Sequence, residues 1–355
     1  MISGHGYGHS AMTAPLINTL QQRHPDLKVT LRSGTPLAML RRKFKHPFDC
    51  LPDSVDFGMR MHNAFTVDIH KSLSQYQYNH QHWQKRIDTE KALLTQLGAY
   101  ILLSNIAYLP LLAARQLGLP AVAYGCLNWA EIFQHFFPDE EHIYKQMMAA
   151  YGSADCVIRT EPGMPMTGLD SEQIGPIAAT GQNRRSELLE ALGLEKEVRL
   201  VLVSMGGIRT DIQPVNWPAL EGVHYLIPDA SPTNRPDITP LATTKFSFSD
   251  ALCSCDILLT KPGYGSFTEA AINRKAVLYV KRPDWPESPY LCNWLTRHNP
   301  CRGISEAQLN SGDFSDELNT LLQQPITPDS PSSGLSSAIK LLETHFKLHK
   351  ITPSQ

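Results

Sequence analysis

The sequence predicts an α/β protein of two similar-sized domains, each built on a parallel sheet. Three observations carry that prediction. Short apolar runs alternate with longer amphipathic stretches from residue 28 to residue 158, the signature of strand–helix–strand crossovers. The alternation stops over residues 160–181, which are rich in Pro, Gly and Thr, and restarts at residue 184. At 355 residues the chain is long for one domain and comfortable for two.

The elements follow in order. The chain opens on Met1-Ile2-Ser3 and passes at once into Gly4-His5-Gly6-Tyr7-Gly8-His9. A glycine turn of this kind follows a strand of about five residues. Only the tail of one is present, which reads as a truncated or mis-assigned start, because losing a first, central strand would expose its neighbours' hydrogen-bonding edges. Residues 10–22 are helical in period, with Leu16, Ile17 and Leu20 on one face and Pro15 in the first turns or at a kink. A strand at 28–31, a short helix at 36–42 and a short strand at 48–51 precede an irregular loop, 52–71. Residues 73–97 read as one long polar helix. Strands at 100–103, 121–124 and 156–158 then alternate with helices at 108–117 and 129–151. After the break come a helix at 184–192, a strand at 199–203 running into Met205-Gly206-Gly207, and a strand at 224–227. A loop with four prolines covers 228–241. A strand, turn and helix begin at residue 256, followed by a strand at 276–280 and a helix at 289–298. A Pro- and Ser-rich loop, 325–334, leads to a last helix, 336–348. The expected domains are 1–165 and 166–334, with residues 335–355 returning to the first.

Composition narrows the function classes. A net charge of -2 gives no electrostatic case for nucleic acid. Seven cysteines without a Cys-x-x-Cys pair suggest a reducing compartment, and Cys253-x-Cys255 lacks companions at zinc spacing. No signal peptide is visible, and the most apolar segment, 100–114, is broken by Ser104, Asn105 and Pro110. A cytoplasmic protein is expected.

The stretch 256–294 organises the chemistry. Ile257, Leu258 and Leu259 form a buried-strand run that Lys261-Pro262-Gly263-Tyr264-Gly265 cannot continue. Ser266 then reads as an N-cap, with Glu269 three residues on as a capping-box acid. Such a turn aims N–H groups from the positive end of a helix and suits a phosphate or diphosphate. The blander reading, an ordinary glycine turn with Glu269 only capping, stays open.

The other glycine loops are weighed the same way. Glycines at 4, 6 and 8 do not match Gly-x-Gly-x-x-Gly, and the next strand ends in Arg32-Ser33-Gly34 where a ribose-binding acid would stand. NAD is therefore not expected, and no P-loop is present. His5 and His9 sit instead on a glycine turn at a helix start, with Gly6 and Gly8. The helix dipole there favours the neutral imidazole, the form that accepts a proton. A merely structural histidine remains the alternative, and two histidines without carboxylates are weak metal ligands. Gly206 and Gly207 permit close approach of a ligand, or make a plain turn, and Arg209 can pair with a phosphate or stay solvated. Asp68 is a candidate carboxylate or an N-cap. Arg41-Arg42-Lys43-Phe44-Lys45 offers weak contact with a membrane surface, or is a solvated loop.

Together these features resemble the GT-B glycosyltransferase superfamily, two Rossmann-like domains facing each other across a cleft. The second domain is similar to the donor half of peptidoglycan-type N-acetylglucosaminyltransferases, on residues 256–269 and 279–293. The first is similar to the glycosyltransferase-like half of plant L-arabinokinases and related bacterial proteins. That likeness rests on Gly4-His5-Gly6-Tyr7-Gly8-His9, on Val55-Asp56-Phe57-Gly58 through Asp68, and on the strand end before Trp129. The sugar-kinase half of an arabinokinase has no counterpart here, so kinase activity does not carry over. The resemblance implies a nucleotide-sugar site lined by Gly206, Gly207, Gly263, Tyr264, Gly265, Ser266, Glu269 and Asn293, with Glu269 on the ribose hydroxyls. It implies no metal and no cofactor beyond the nucleotide-diphosphate sugar used as substrate, a UDP-sugar first. A sugar, a lipid-linked molecule or a small molecule is the expected acceptor. His9 is the first candidate base and Asp68 the second, or a group orienting His9. A UDP-sugar epimerase of the same fold, or a non-catalytic sugar-nucleotide binder, is the alternative.

Overall fold

The computed structural model describes residues 1–6, 8–207, 212–228, 234–325 and 330–348. The chain divides into two compact units, Met1–Ile177 with Ser333–Gln355, and Ala178–Ser332.

The first unit is a parallel sheet. Its strands are β1 (Thr30–Arg32), β2 (Asp49–Leu51), β3 (Leu102–Asn105), β4 (Ala121–Gly125), β5 (Cys156–Thr160) and β6 (Glu172–Ile174). β1 pairs with β2, and β3 to β6 pair in sequence. Residues 1–3 join the two groups. Ile2 N donates to Arg32 O at 2.9 Å, Ser3 N to Asn105 O at 3.2 Å and Asn105 N to Met1 O at 2.9 Å. The short strand tail thus fills the slot between β1 and β3. The sheet order becomes β2, β1, residues 1–3, β3, β4, β5, β6.

Its helices are α1 (Gly8–Arg23), α2 (Leu37–Lys43), α3 (Ile69–Gln81), α4 (Trp83–Gln96), α5 (Leu109–Gln116), α6 (Trp129–Phe136) and α7 (Glu141–Tyr151). Two helices expected to be continuous are each broken. The stretch 73–97 divides at His82, and 129–151 divides after Phe136, where Pro138 cannot donate to a helical ladder. Pro15 stays inside α1, flanked by Thr13 and Thr19, whose hydroxyls bond back to His9 O and Pro15 O.

The second unit contains α8 (Arg185–Leu192), β7 (Arg199–Ser204), β8 (Val223–Ile227), β9 (Ile238–Pro240), α9 (Phe248–Ser254) and β10 (Ile257–Thr260). It continues with α10 (Tyr264–Ile272), β11 (Ala276–Val280), α11 (Ser288–His298), β12 (Cys301–Ile304), α12 (Glu306–Ser311) and α13 (Ser315–Gln323). Every pair is parallel, in the order β12-β11-β10-β7-β8-β9. Numbered from β7, this is the 3-2-1-4-5-6 order of a doubly wound sheet. Val201, Leu202, Val203, Leu258, Leu259 and Val277 are at most 1% exposed, as strands covered on both faces require.

The unit boundary falls at 177/178, not 165/166, because β6 extends the first sheet beyond β5. The last helix, α14 (Leu335–Phe346), lies with the first unit. There Glu343 Oε1 stands 3.0 Å from Nε of Arg23, the last residue of α1, and 2.9 Å from Nε2 of His24 just beyond it. No helix among the described residues is long and apolar enough to cross a membrane.

Candidate functional site

In a doubly wound sheet, ligands sit beyond the carboxyl ends of the strands where the winding reverses. In the second unit that point lies between β7 and β10. Gly206 and Gly207 follow β7, and Gly206 holds φ 77°, a backbone conformation closed to most residues. A Cβ there would meet Lys261 Cε at 3.3 Å, so the two turns touch. Lys261 follows β10 directly. Pro262 and Gly263 then end the strand, and α10 starts at Tyr264.

Here the capping reading is corrected. Gly263, in extended backbone at φ -160°, is the N-cap and supplies no side-chain bond. Ser266 is the third helical residue, and Glu269 lies mid-helix at 6% exposure, too far along to serve as a capping-box acid. The first intrahelical bond is Phe267 N to Gly263 O, so the amides of Tyr264, Gly265 and Ser266 have no acceptor within the helix.

Two cations that the sequence reading left without a role stand beside this turn. The Lys261 ammonium makes no hydrogen bond or ion pair among the described residues. Burial, and then Arg282, lower its ammonium to about 7 against the opposing pull of Glu287. Arg282, two residues beyond β11, is 5% exposed. Its guanidinium lies 4.5 Å over the Trp285 ring, and burial lowers it to about 10. Nε and Nη2 are buried without a hydrogen-bond partner, as is the Ser288 hydroxyl at the start of α11.

The first unit has its own switch point, between residues 1–3 and β3. The loop after Ser3 is pinned by Asp56. Gly4 N donates to Asp56 Oδ1 at 2.9 Å, Ser54 Oγ at 3.1 Å, and the Trp129 indole to Oδ2 at 3.0 Å. Burial pushes the Asp56 carboxyl up, and these donors pull it back. Trp129, fully buried at the start of α6, presents its ring to His5 at 5.1 Å and to His9 at 6.1 Å. Gly58, at φ 62°, lets Trp129 in, since a Cβ would stand 2.5 Å from the indole. Beside it, Ile106 holds φ 57°, strained for a β-branched residue, and its carbonyl accepts the Tyr151 hydroxyl at 2.6 Å.

His9, the second residue of α1, is 8% exposed. Burial lowers its imidazole to about 4, with the Asn105 side chain pulling the other way. The neutral form was expected from the helix dipole, but the dominant cause is desolvation. Asn105 turns Nδ2 to Met12 Sδ at 3.2 Å, and its Oδ1 finds no well-aligned donor.

No family model matches the chain. An L-arabinokinase of Arabidopsis thaliana is 24% identical over 308 residues, 83% of this chain but 29% of that protein. The chain therefore spans under a third of that relative. Among solved structures, the glycotransferase of kitacinnamycin is 13% identical with a TM-score of 0.62, over 98% of this chain and 94% of that one. A Listeria monocytogenes protein named as a UDP-N-acetylglucosamine 2-epimerase is 15% identical with a TM-score of 0.58, over 97% and 95%. The fold is GT-B.

Within this GT-B chain the structure gathers Gly206, Gly207, Gly263, Tyr264, Gly265 and Ser266 at one end of one sheet. Asn293 lies on the exposed face of α11, where its carbonyl accepts from Thr296 and Arg297. His5 and Gly6 lie on the first unit's loop, and Gly8 and His9 begin the helix α1 that follows it. Asp68 is not joined to them. It caps α3, accepting from Lys71 N at 3.0 Å, and its carboxylate pairs with Lys71 at 3.0 Å and His62 at 3.7 Å. No bond links it to His9, so it does not orient that ring. Asp56 is the carboxylate beside the histidine loop. Arg209 and Tyr7 lie outside the described residues. Cys255 is buried, its thiol raised to about 12, and no group of three or more metal-ligating side chains occurs among the described residues.

Proposed function

We propose that this chain is a glycosyltransferase that moves a sugar from a nucleotide-diphosphate sugar, a UDP-sugar first among donors, to an acceptor hydroxyl. The observation that carries the reading is the convergence at the second unit's switch point of two glycine turns, a helix start and two buried cations, Lys261 and Arg282. Such a constellation stabilises the negative charge that builds on a departing diphosphate. In this reading Glu269 holds the ribose hydroxyls and the amides of Gly265 and Ser266 face the diphosphate. The cations come from the chain itself, so transfer proceeds without a metal. His9, kept neutral by burial, takes the acceptor's proton, and a single displacement inverts the anomeric centre. The likeness to a protein named as a UDP-N-acetylglucosamine 2-epimerase supports a second reading, epimerisation of a nucleotide sugar on the same scaffold.

Thermal stability against UDP, dTDP, GDP, ADP and their sugar conjugates tests the donor site. A ligand at about 100 times its dissociation constant stabilises by about 2.7 kcal/mol, a rise of several degrees. The expected result is a rise with one diphosphate family that Glu269→Ala loses. A flat response across the panel, in folded protein, rejects the donor site. Release of nucleoside diphosphate only when an acceptor is present then separates the transferase from the epimerase.

A further inference from the structure

We propose that Arg282 and Lys261 form a receptor for a ligand oxyanion beyond the carboxyl ends of β10 and β11, which Arg282 grips through Nε and Nη2 together.

The geometry of the guanidinium makes the case. Nε and Nη2 lie on one edge of the group, the edge that presents two parallel N–H donors to a carboxylate or phosphate. Both are buried and both lack a partner. Leaving charged donors unpaired and out of water costs several kcal/mol in general, which is why such groups mark strain or a missing ligand. The face of the guanidinium is already taken by Trp285 at 4.5 Å, so the edge is what remains. Among the described residues, two cations, Lys261 and Arg282, face one buried carboxylate, Glu287. Burial first, and Arg282 beside it, lower the Lys261 ammonium to about 7, and Glu287 offsets them only in part. The unpaired Ser288 hydroxyl supplies a further donor near Arg282 along the chain. The edge is closed to bulk water, so the oxyanion it holds is a stripped one.

This inference deepens the donor-site reading and rests on it for the identity of the occupant, a phosphate of the nucleotide sugar or a carboxylate on the sugar itself. The receptor stands on Arg282 and Lys261 alone. Calorimetric titration with inorganic pyrophosphate and with glucuronate separates the two sources. We expect one of them to bind wild type and Arg282→Lys to weaken that binding about ten- to hundredfold. Neither probe carries a nucleoside, which keeps the test independent of the nucleotide reading. If Arg282→Lys does not fold, Lys261→Met carries the test. At pH 8 wild type takes up more proton on binding than Lys261→Met does, read from buffers of different ionisation enthalpy. Failure of both probes to bind wild type, binding unaltered in Arg282→Lys, or equal uptake in Lys261→Met each overturns the proposal.

Discussion

The two units wind their sheets in the same way and use the point of reversal for different chemistry. Each places a glycine loop after its first strand and a second turn after its fourth, counting residues 1–3 as the first strand of the first unit. In the second unit those turns hold Gly206, Lys261 and the start of α10, with Arg282 from the next strand. In the first they hold His5, His9 and Asn105, packed on Trp129 and pinned by Asp56. The second collects two buried cations, Lys261 and Arg282, around one carboxylate, Glu287. The first buries an imidazole until it is neutral. One topology therefore supplies two specialised ends, one suited to an anion and one to a proton, and the side chains alone decide which.

The comparison breaks most readily at Gly58. The loop of the first unit depends on an aromatic wedge, whereas the turns of the second depend on glycine freedom and open space. A methyl at Gly58 meets Trp129 Cη2 at 2.5 Å, Cζ2 at 2.6 Å and His5 Cβ at 2.8 Å, at a positive φ. Gly58→Ala is expected to cost about 3–5 kcal/mol, from the left-handed backbone penalty plus overpacking. Urea unfolding measures it through the midpoint at constant slope. At Gly206 the same methyl meets only the flexible end of Lys261 at 3.3 Å, so Gly206→Ala carries little beyond the backbone term of about 1–2 kcal/mol. Equal losses at the two positions contradict the contrast.

Titration sharpens it next. His9 falls from the usual 6.5 to about 4 on folding because burial disfavours the imidazolium. Its contribution to stability is complete above pH 6.5 and is lost as the pH falls through 4, since the unfolded chain takes the proton first. The loss amounts to about 3 kcal/mol over that window. His80 behaves alike, lowered to about 4 by burial between Gln146 and Tyr108. His9→Asn should therefore flatten part of the acid limb between pH 6.5 and 4 and leave the part due to His80. An unchanged acid limb would mean that His9 is already solvated.

The alternation of strands and helices was legible because parallel strands covered on both faces are short apolar runs, as in Ile257-Leu258-Leu259. The three-residue β6 and β9 were missed, since each lies in a Pro-rich stretch that reads as a loop and pairing alone makes them strands. The glycine turns were legible from composition. Ser266 was misplaced because a serine near a helix start resembles a cap, and only backbone angles show that Gly263 already fills the role. Lys261 and Arg282 gave no signal, for a cation after a strand end reads as a solvated one. Burial without a partner is a tertiary fact. Asp56 and Asp68 lie twelve residues apart in one irregular loop, and nothing local tells which of them the fold turns toward the histidines.

That choice of carboxylate gives the smallest effect on stability and the clearest separation of roles. Asp68 caps α3 through Lys71 N, and asparagine caps as well as aspartate. Asp68→Ala should lower Tm by about 2–4 °C, and Asp68→Asn should restore it. A base or a charged orienting group would behave differently. Asn keeps the shape and cannot take a proton, so turnover would fall by about 10²–10⁴ while Tm held. Since Asp68 makes its bonds to Lys71 and His62 and none to the histidine loop, turnover of Asp68→Asn is expected to stay near wild type, whereas His9→Asn loses it. Comparing the two asparagine variants under one assay separates a residue that builds the first unit from one that works in it.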